Sequence, residues 1–240
     1  MHFLPHSNPR PQHLPSKAAS LCTLLVAAAL AAPSHAASFA CDKATTALEQ
    51  MICKDAALST LDGHLGQYYE AARVSLPQAQ SCLQANQRNW LRNARNACKD
   101  AACLKQAYLQ RLAELDALQP GATAIKSLAL PKGPSLVAVV PPAEDTVAAP
   151  PVKGLLPLVV RGRLRNEVAD GDGFVVQSSA GRKHIVMGQM FLEGAAADHL
   201  AELAKDTATL YEVRGHGVPE PDGGLHFAPS RCSFVYRLPG

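Results

Sequence analysis

The chain has 240 residues, a formal net charge of +3 and 48% hydrophobic residues, and only 5% are aromatic, so its cores must be built mainly from Leu, Val and Ala. That length accommodates one large domain or two small ones, and so slight a positive excess argues against a dedicated nucleic-acid binder, which concentrates Lys and Arg in a stripe. Seven cysteines are many for a cytosolic protein of this size.

The first element along the chain reads as an export signal. Residues 1–20 carry Arg10 and Lys17 and no acidic residue, and an apolar run follows over residues 21–32. The run is shorter than the about 20 residues that span a bilayer. Pro33 breaks it, and Ser34-His35-Ala36 offers an A-x-A-like end, so residues 1–36 are expected to be a signal peptide. Its removal takes Cys22 away and leaves Cys41, Cys53, Cys82, Cys98, Cys103 and Cys232. An even set in an exported chain reads as a disulfide framework. Cys41 follows Ser38-Phe39-Ala40, a poor lipidation site, which favours a soluble periplasmic or secreted protein with no membrane insertion after signal removal.

Residues 37–118 carry apolar side chains at helical spacing. Thr45 or Thr46 is placed to cap a short helix bearing Leu48, Met51 and Ile52. Asp55 or Ser59 precedes a second, with Leu58, Leu61, Leu65, Tyr68 and Ala72 inward. Pro77 stands where a third would begin, its inner side Leu83, Gln87, Trp90, Leu91 and Ala94. Asp100 is placed to cap a fourth, with Leu104, Tyr108, Leu112 and Leu115 inward. Short connections imply antiparallel neighbours in a compact helical bundle, and a module this small needs staples.

Cys41 and Cys53 would lie at opposite ends of the first helix. At about 1.5 Å rise per residue they stand beyond the about 4.4–6.8 Å Cα separation of a bridge, unless that helix is broken. In an antiparallel arrangement Cys53 approaches Cys98 or Cys103, and Cys41 takes the remaining partner. A local Cys98–Cys103 link is the competing solution, and Cys82 and Cys232 either pair across the two halves or remain free.

Taken together, Cys41, Lys43-Ala44-Thr45-Thr46, Glu49, Ile52-Cys53, Leu58, Leu61-Asp62, Tyr68 or Tyr69, Gln87-Arg88, Trp90-Leu91, Arg95, Cys98, Cys103-Leu104, Tyr108 and Arg111-Leu112 resemble the lysozyme inhibitor LprI-like N-terminal domain family. The likeness runs from about residue 39 to residue 118, and the four family cysteines map onto Cys41, Cys53, Cys98 and Cys103. It implies an exported bacterial helical domain, with lysozyme inhibition attributed to one branch of the family. An inhibitor of that kind must plug a cleft whose working parts are two carboxylates, and Arg is suited to carboxylate contacts. Arg88, Arg92 and Arg95 fall at i, i+4 and i+7 and form the candidate binding stripe. The alternative is a solvated helix face with one arginine paired to Asp62 or Glu49 inside the bundle. Glu49, Asp62 and Gln87 fit structural hydrogen bonding, and Trp90 fits the core.

Eight prolines between Pro120 and Pro157, mixed with Ala, Val and Gly, predict a disordered, semi-extended tether over residues 119–154, with Ser135–Val140 not expected to pair as a strand. Beyond it the pattern turns to strands. They are expected over residues 158–164, 174–177 and 184–187, then a helix near 193–205, then strands near 209–215, 225–228 and 232–238. Three strands, a helix and further strands is the order of a small OB-like β-barrel over residues 155–240, giving an α+β, two-module chain. In such a barrel Arg182 and Lys183, with His184, lie on the hairpin that faces a ligand. Export then favours a cell-wall glycan or an envelope protein over nucleic acid. His184, His216 and His226 lack metal-ligand spacing, so no metal site is expected.

No G-x-S-x-G, H-E-x-x-H, phosphate-cradling glycine loop or Cys-x-x-Cys pair occurs. The chain is therefore expected to be a binding protein without cofactor: either an LprI-like inhibitor of lysozyme or another muramidase, or a structural adaptor of the cell envelope.

Overall fold

A computed structural model describes residues 37–143, 154–167, 173–187 and 195–240. The expected export signal, residues 1–36, lies outside the described residues, as do residues 144–153 of the expected tether. Four helices come first: α1 (Ala47–Lys54), α2 (Ala56–Ser75), α3 (Gln80–Trp90) and α4 (Ala101–Leu115). Each start has a local cause. Thr46 Oγ1 accepts from Glu49 N at 3.1 Å while Glu49 Oε2 accepts from Thr46 N at 3.0 Å, a reciprocal capping box. Asp55 caps α2 through Ala57 N and Leu58 N, and Asp100 caps α4 through Cys103 N. Pro77 opens a single 3-10 turn, Pro77–Ala79, where its missing N–H has no helical partner to lose.

The inward residues expected on α2 and α4 are buried as a single core. On α3 only Cys82 and Leu83 are buried, whereas Gln87 and Trp90, expected inside, are half-buried. The reason is directional. Asp62 meets Tyr108, and Tyr68 meets Asp116, so α2 and α4 run parallel. Arg73 meets Gln80 and Asp62 meets Arg95, so α3 returns antiparallel to α2 along the flank of the pair.

The disulfides are Cys41–Cys53, Cys98–Cys103 and Cys82–Cys232. The expected link from Cys53 to Cys98 or Cys103 does not occur. A 3-10 turn at Cys41–Lys43, then extended backbone at Ala44 and Thr46, breaks the helix that would have separated Cys41 from Cys53. The chain doubles back and their Cα atoms stand 5.7 Å apart. Three disulfides fit an oxidising, extracytoplasmic compartment, and no described helix is long and apolar enough to cross a membrane.

The tether expected from residue 119 is packed as far as residue 143. Ile125, Leu128 and Leu130 lie on the helical core, and Ile125 N donates to the Tyr68 hydroxyl at 3.0 Å. Ser135–Val140 is a strand, β1, contrary to expectation. Leu136 and Val139 face the helical core, whereas Val137, Ala138 and Val140 face a second core, with a register irregularity between Leu136 and Ala138. Burial on both sides, broken in phase, hid the strand from a search for alternation.

The second core belongs to β2 (Leu156–Glu167), β3 (Gly173–Gln177), β4 (Lys183–Met187), helix α5 (Ala195–Ala204), β5 (Tyr211–Pro219), β6 (Leu225–Phe227) and β7 (Ser233–Arg237). The sheet order is β1-β7-β5-β2-β3-β4-β6, and a further β5–β6 pairing closes five strands, β2 to β6, into a barrel. Among the described strands β4 and β6 alone pair in parallel. Closure needs close backbone approach. A Cβ on Gly217 would lie 1.9 Å from the His226 carbonyl oxygen, and one on Gly162 would lie 2.0 Å from that of Gln177. β7 and β1 extend the sheet beyond the barrel, and the helical core sits on their outer face through Leu136, Val139, Tyr236 and Phe234. His35–Gly240 is thereby one compact unit.

Candidate functional site

The arginines of the third helix do not share one stripe. After Trp90 the helix widens to a π turn over Leu91–Arg95, with Asn96 N donating to Leu91 O at 2.9 Å. The extra residue per turn rotates Arg95 inward. Its Nη1 lies 3.8 Å from Oδ1 of the buried Asp62, which also accepts from Tyr108 OH at 2.7 Å. Asp62 Oδ2 accepts from Ser38 N at 2.7 Å and Ser38 Oγ at 2.5 Å. Burial, then the Asp62 charge, pushes the Tyr108 hydroxyl far above its ordinary value, so it remains a donor. Arg88 and Arg92 stay exposed, with no acidic partner among the described residues. Trp90 tilts against Tyr108 with ring centroids 5.7 Å apart.

A second network crosses from the helices to the barrel. Arg111 is 2% exposed. It donates to Asn86 Oδ1 at 2.6 Å, to Gln87 Oε1 at 3.0 and 3.1 Å, and to Glu114 Oε2 at 2.8 Å. Glu114 Oε1 then lies 3.6 Å from Arg214 Nη1. Arg214 Nε donates to Glu212 Oε1 at 2.6 Å, while Arg161 Nε donates to Glu212 Oε2 at 2.5 Å. The Arg214 guanidinium also stacks 4.1 Å from the centre of the Tyr236 ring. Burial alone would raise the Glu212 carboxyl, but the hydrogen bonds and charges of Arg161 and Arg214 overcome it and hold it below the usual range. Arg111 stands among the residues that carry the resemblance to the LprI-like family, but nothing in the spacing of Glu114, Glu212 and Arg214 reveals that they meet.

Arg182 and Lys183 sit at the β3–β4 hairpin and are engaged within the chain. Lys183 Nζ is 2.6 Å from Glu167 Oε2. The guanidinium of Arg182 lies over Gly223, where an added Cβ would meet it at 3.2 Å. Burial, with Arg182 adding to it, lowers the pKa of His184, and its buried Nδ1 has no hydrogen-bond partner among the described residues. His226 Nδ1 faces Glu220 at 3.3 Å. Among the described residues no three His, Cys, Asp or Glu side chains converge as a metal set.

A hollow of about 620 Å³ opens where the Pro77 turn, β1 and α5 meet. Its walls include Leu76, Leu118, Val139, Leu200 and Leu203, and its ionisable lining is His199 and Arg237. His199 Nε2 is committed to Val137 O at 2.7 Å. That lining holds no carboxylate or thiol, and its hydroxyl, Ser75 Oγ, donates to Leu118 O at 3.1 Å.

No family model matches the chain, and no solved structure matches it. Among curated proteins it is 33% identical over 112 residues to Lipoprotein LprI of Mycobacterium tuberculosis, in strains H37Rv and CDC 1551, and to Lipoprotein LprI of Mycobacterium bovis. The aligned part is 42% of this chain and 55% of theirs, so the chain spans about half the length of the curated relatives it matches. Part of this disulfide-bonded chain is thus distantly LprI-like.

Proposed function

We propose that the chain is an exported, non-catalytic binding protein that occupies the cleft of a muramidase through Arg88 and Arg92. The observation that carries the reading is that Arg88 and Arg92 are exposed and lack acidic partners among the described residues, while Arg95 beside them faces Asp62 at 3.8 Å. Residues one turn apart on a helix stand about 5–6 Å apart at Cβ. That suits a glycosidase cleft whose two carboxylates are about 5–9.5 Å apart. The distant likeness to LprI supports the same direction. The test is a turbidity assay of cell-wall lysis with purified mature protein titrated into a muramidase. Dose-dependent protection that disappears in an Arg88→Glu/Arg92→Glu variant supports the reading. Undiminished lysis at excess protein removes it.

A second reading has an observation of its own. Five strands closing in the order β2-β3-β4-β6-β5, with β4 and β6 parallel and α5 between β4 and β5, favour an OB-like barrel. In that reading the chain is an envelope adaptor whose barrel holds a glycan or protein near Arg182 and Lys183. A cell-wall pull-down of the full chain tests it, and retention unaffected by Arg182→Glu/Lys183→Glu counts against that surface.

A further inference from the structure

The outer face of β2 carries a row of charges that neither reading uses. The strand alternates: Leu158, Val160 and Leu164 enter the barrel core, and Arg161, Arg163 and Arg165 point out. Same-face residues recur about every 6.8 Å along a strand, so Arg161, Arg163 and Arg165 follow one another along one side of β2. Arg161 is 70% exposed and its Nε alone is used by Glu212. Arg163 is exposed, Arg165 is half-exposed, and neither has an acidic partner among the described residues. At one end Val159 pairs with Arg214, whose charge is taken up by Glu212 and Glu114, so the uncompensated charge of the row lies at Arg163 and Arg165. At the other, Arg165 opens into a hollow of about 490 Å³ shared with Asn166, Glu167, Ala201, Ala204 and Lys205.

Three features narrow the ligand. The charges are spread along a line, so they suit a repeating anion better than one compact anion. The rings of Phe174, Tyr211, Phe227 and Tyr236 are buried, and Phe234, half-buried, packs on the helical core, so among the described residues no exposed ring stands beside the row as a platform for a neutral sugar. The helical core covers β7, two strands away, so the row lies at the foot of a step. An extended chain fits along such a step better than a flat bilayer does.

We propose that the outer face of β2 binds a linear polyanion of the phosphodiester-linked type, laid along Arg161, Arg163 and Arg165. The site is separate from Arg88 and Arg92 and stands or falls without them. Fluorescent oligo(glycerol phosphate) is titrated into the full mature chain and followed by anisotropy over a range of salt. Neutral dextran and phosphatidylglycerol vesicles serve as the comparison arms. The expected result is salt-sensitive binding that Arg163→Glu/Arg165→Glu weakens at least about tenfold, with the logarithmic salt slope reduced by roughly 1.4, about 0.7 for each lost contact. Arg163→Lys/Arg165→Lys should retain most of the binding, and Arg88→Glu/Arg92→Glu all of it. The proposal is overturned by absence of binding at low salt, by equal weakening from both charge reversals, by equal binding of dextran, or by binding of vesicles alone. Because the reversed residues project outward, an unchanged circular dichroism spectrum is expected for each variant.

Discussion

Cys82 on α3 is bonded to Cys232, just ahead of β7 and 150 residues later in the chain, with their Cα atoms 5.8 Å apart. This bond ties the helices to the barrel covalently, across a boundary that Tyr236 and Leu136 also bridge through packing. Closing a loop of that length is worth up to roughly 5 kcal/mol on the chain-entropy account. Cys82→Ser/Cys232→Ser should therefore lower the urea midpoint and split one unfolding transition into two. Trp90 fluorescence, which reports the helical part, followed beside amide exchange of the barrel strands would show it.

Asp62 is a shared acceptor for Ser38, Tyr108 and Arg95. Asp62→Ala leaves those donors stranded around a buried void and should cost about 3 kcal/mol. Asp62→Asn keeps one oxygen and should cost less. A double-mutant cycle with Tyr108→Phe should give a coupling of about 0.5–3 kcal/mol, read from urea unfolding.

Two acid-sensitive steps are expected at different pH. Burial lowers the pKa of His184, so the unfolded chain takes up its proton first. Its contribution to stability is full above the ordinary histidine value of about 6.5 and is lost as pH falls through the lowered folded value. Glu212 is likewise held low by Arg161 and Arg214. Its contribution is full above the ordinary carboxylate value of about 4.3 and disappears as pH falls through the folded one. His184→Gln should flatten the upper step and Glu212→Gln the lower, measured as thermal midpoints against pH.

Gly217→Ala should open the barrel seam, since the new methyl would collide with the His226 carbonyl between β5 and β6. Overpacking of this kind costs about 1–3 kcal/mol or more. Gly133→Ala, with nothing within 4 Å, should change stability by less than about 0.5 kcal/mol. Amide exchange should quicken along β5 and β6 in the first variant only.

The three arginines of the third helix should separate by phenotype. Arg88→Glu/Arg92→Glu should leave the free energy of urea unfolding within about 0.5 kcal/mol of the parent while weakening muramidase inhibition at least about tenfold. Arg95→Glu should destabilise the helices, because it sets a second carboxylate against Asp62. Parallel inhibition and unfolding measurements distinguish the two.

Much of the local architecture was legible in the chain. Thr46, Asp55 and Asp100 are caps whose chemistry acts within one helical turn, and the alternation in β2 marks inside from outside residue by residue. β1 escaped because both of its faces are buried and its phase slips at Val137. Of the disulfides, Cys98–Cys103 and Cys82–Cys232 stood among the alternatives, whereas Cys41–Cys53 was disfavoured, because a continuous helix was expected where a three-residue turn at Cys41–Lys43 reverses the chain. The arginine stripe was half legible: Arg88 and Arg92 obey helical spacing, but the π turn that redirects Arg95 has no signature in residue type.

The amino-acid order by itself determined the caps of α1, α2 and α4 and the inward sides of α2 and α4, because capping and helical period act locally. Only the tertiary structure decided that Arg111, Glu114, Arg214, Glu212 and Arg161 form one chain of charges, and that Arg163 and Arg165 are left over beside it. Partners brought together from up to about a hundred positions away are chosen by how the two cores dock, and docking is a property of the assembled surfaces.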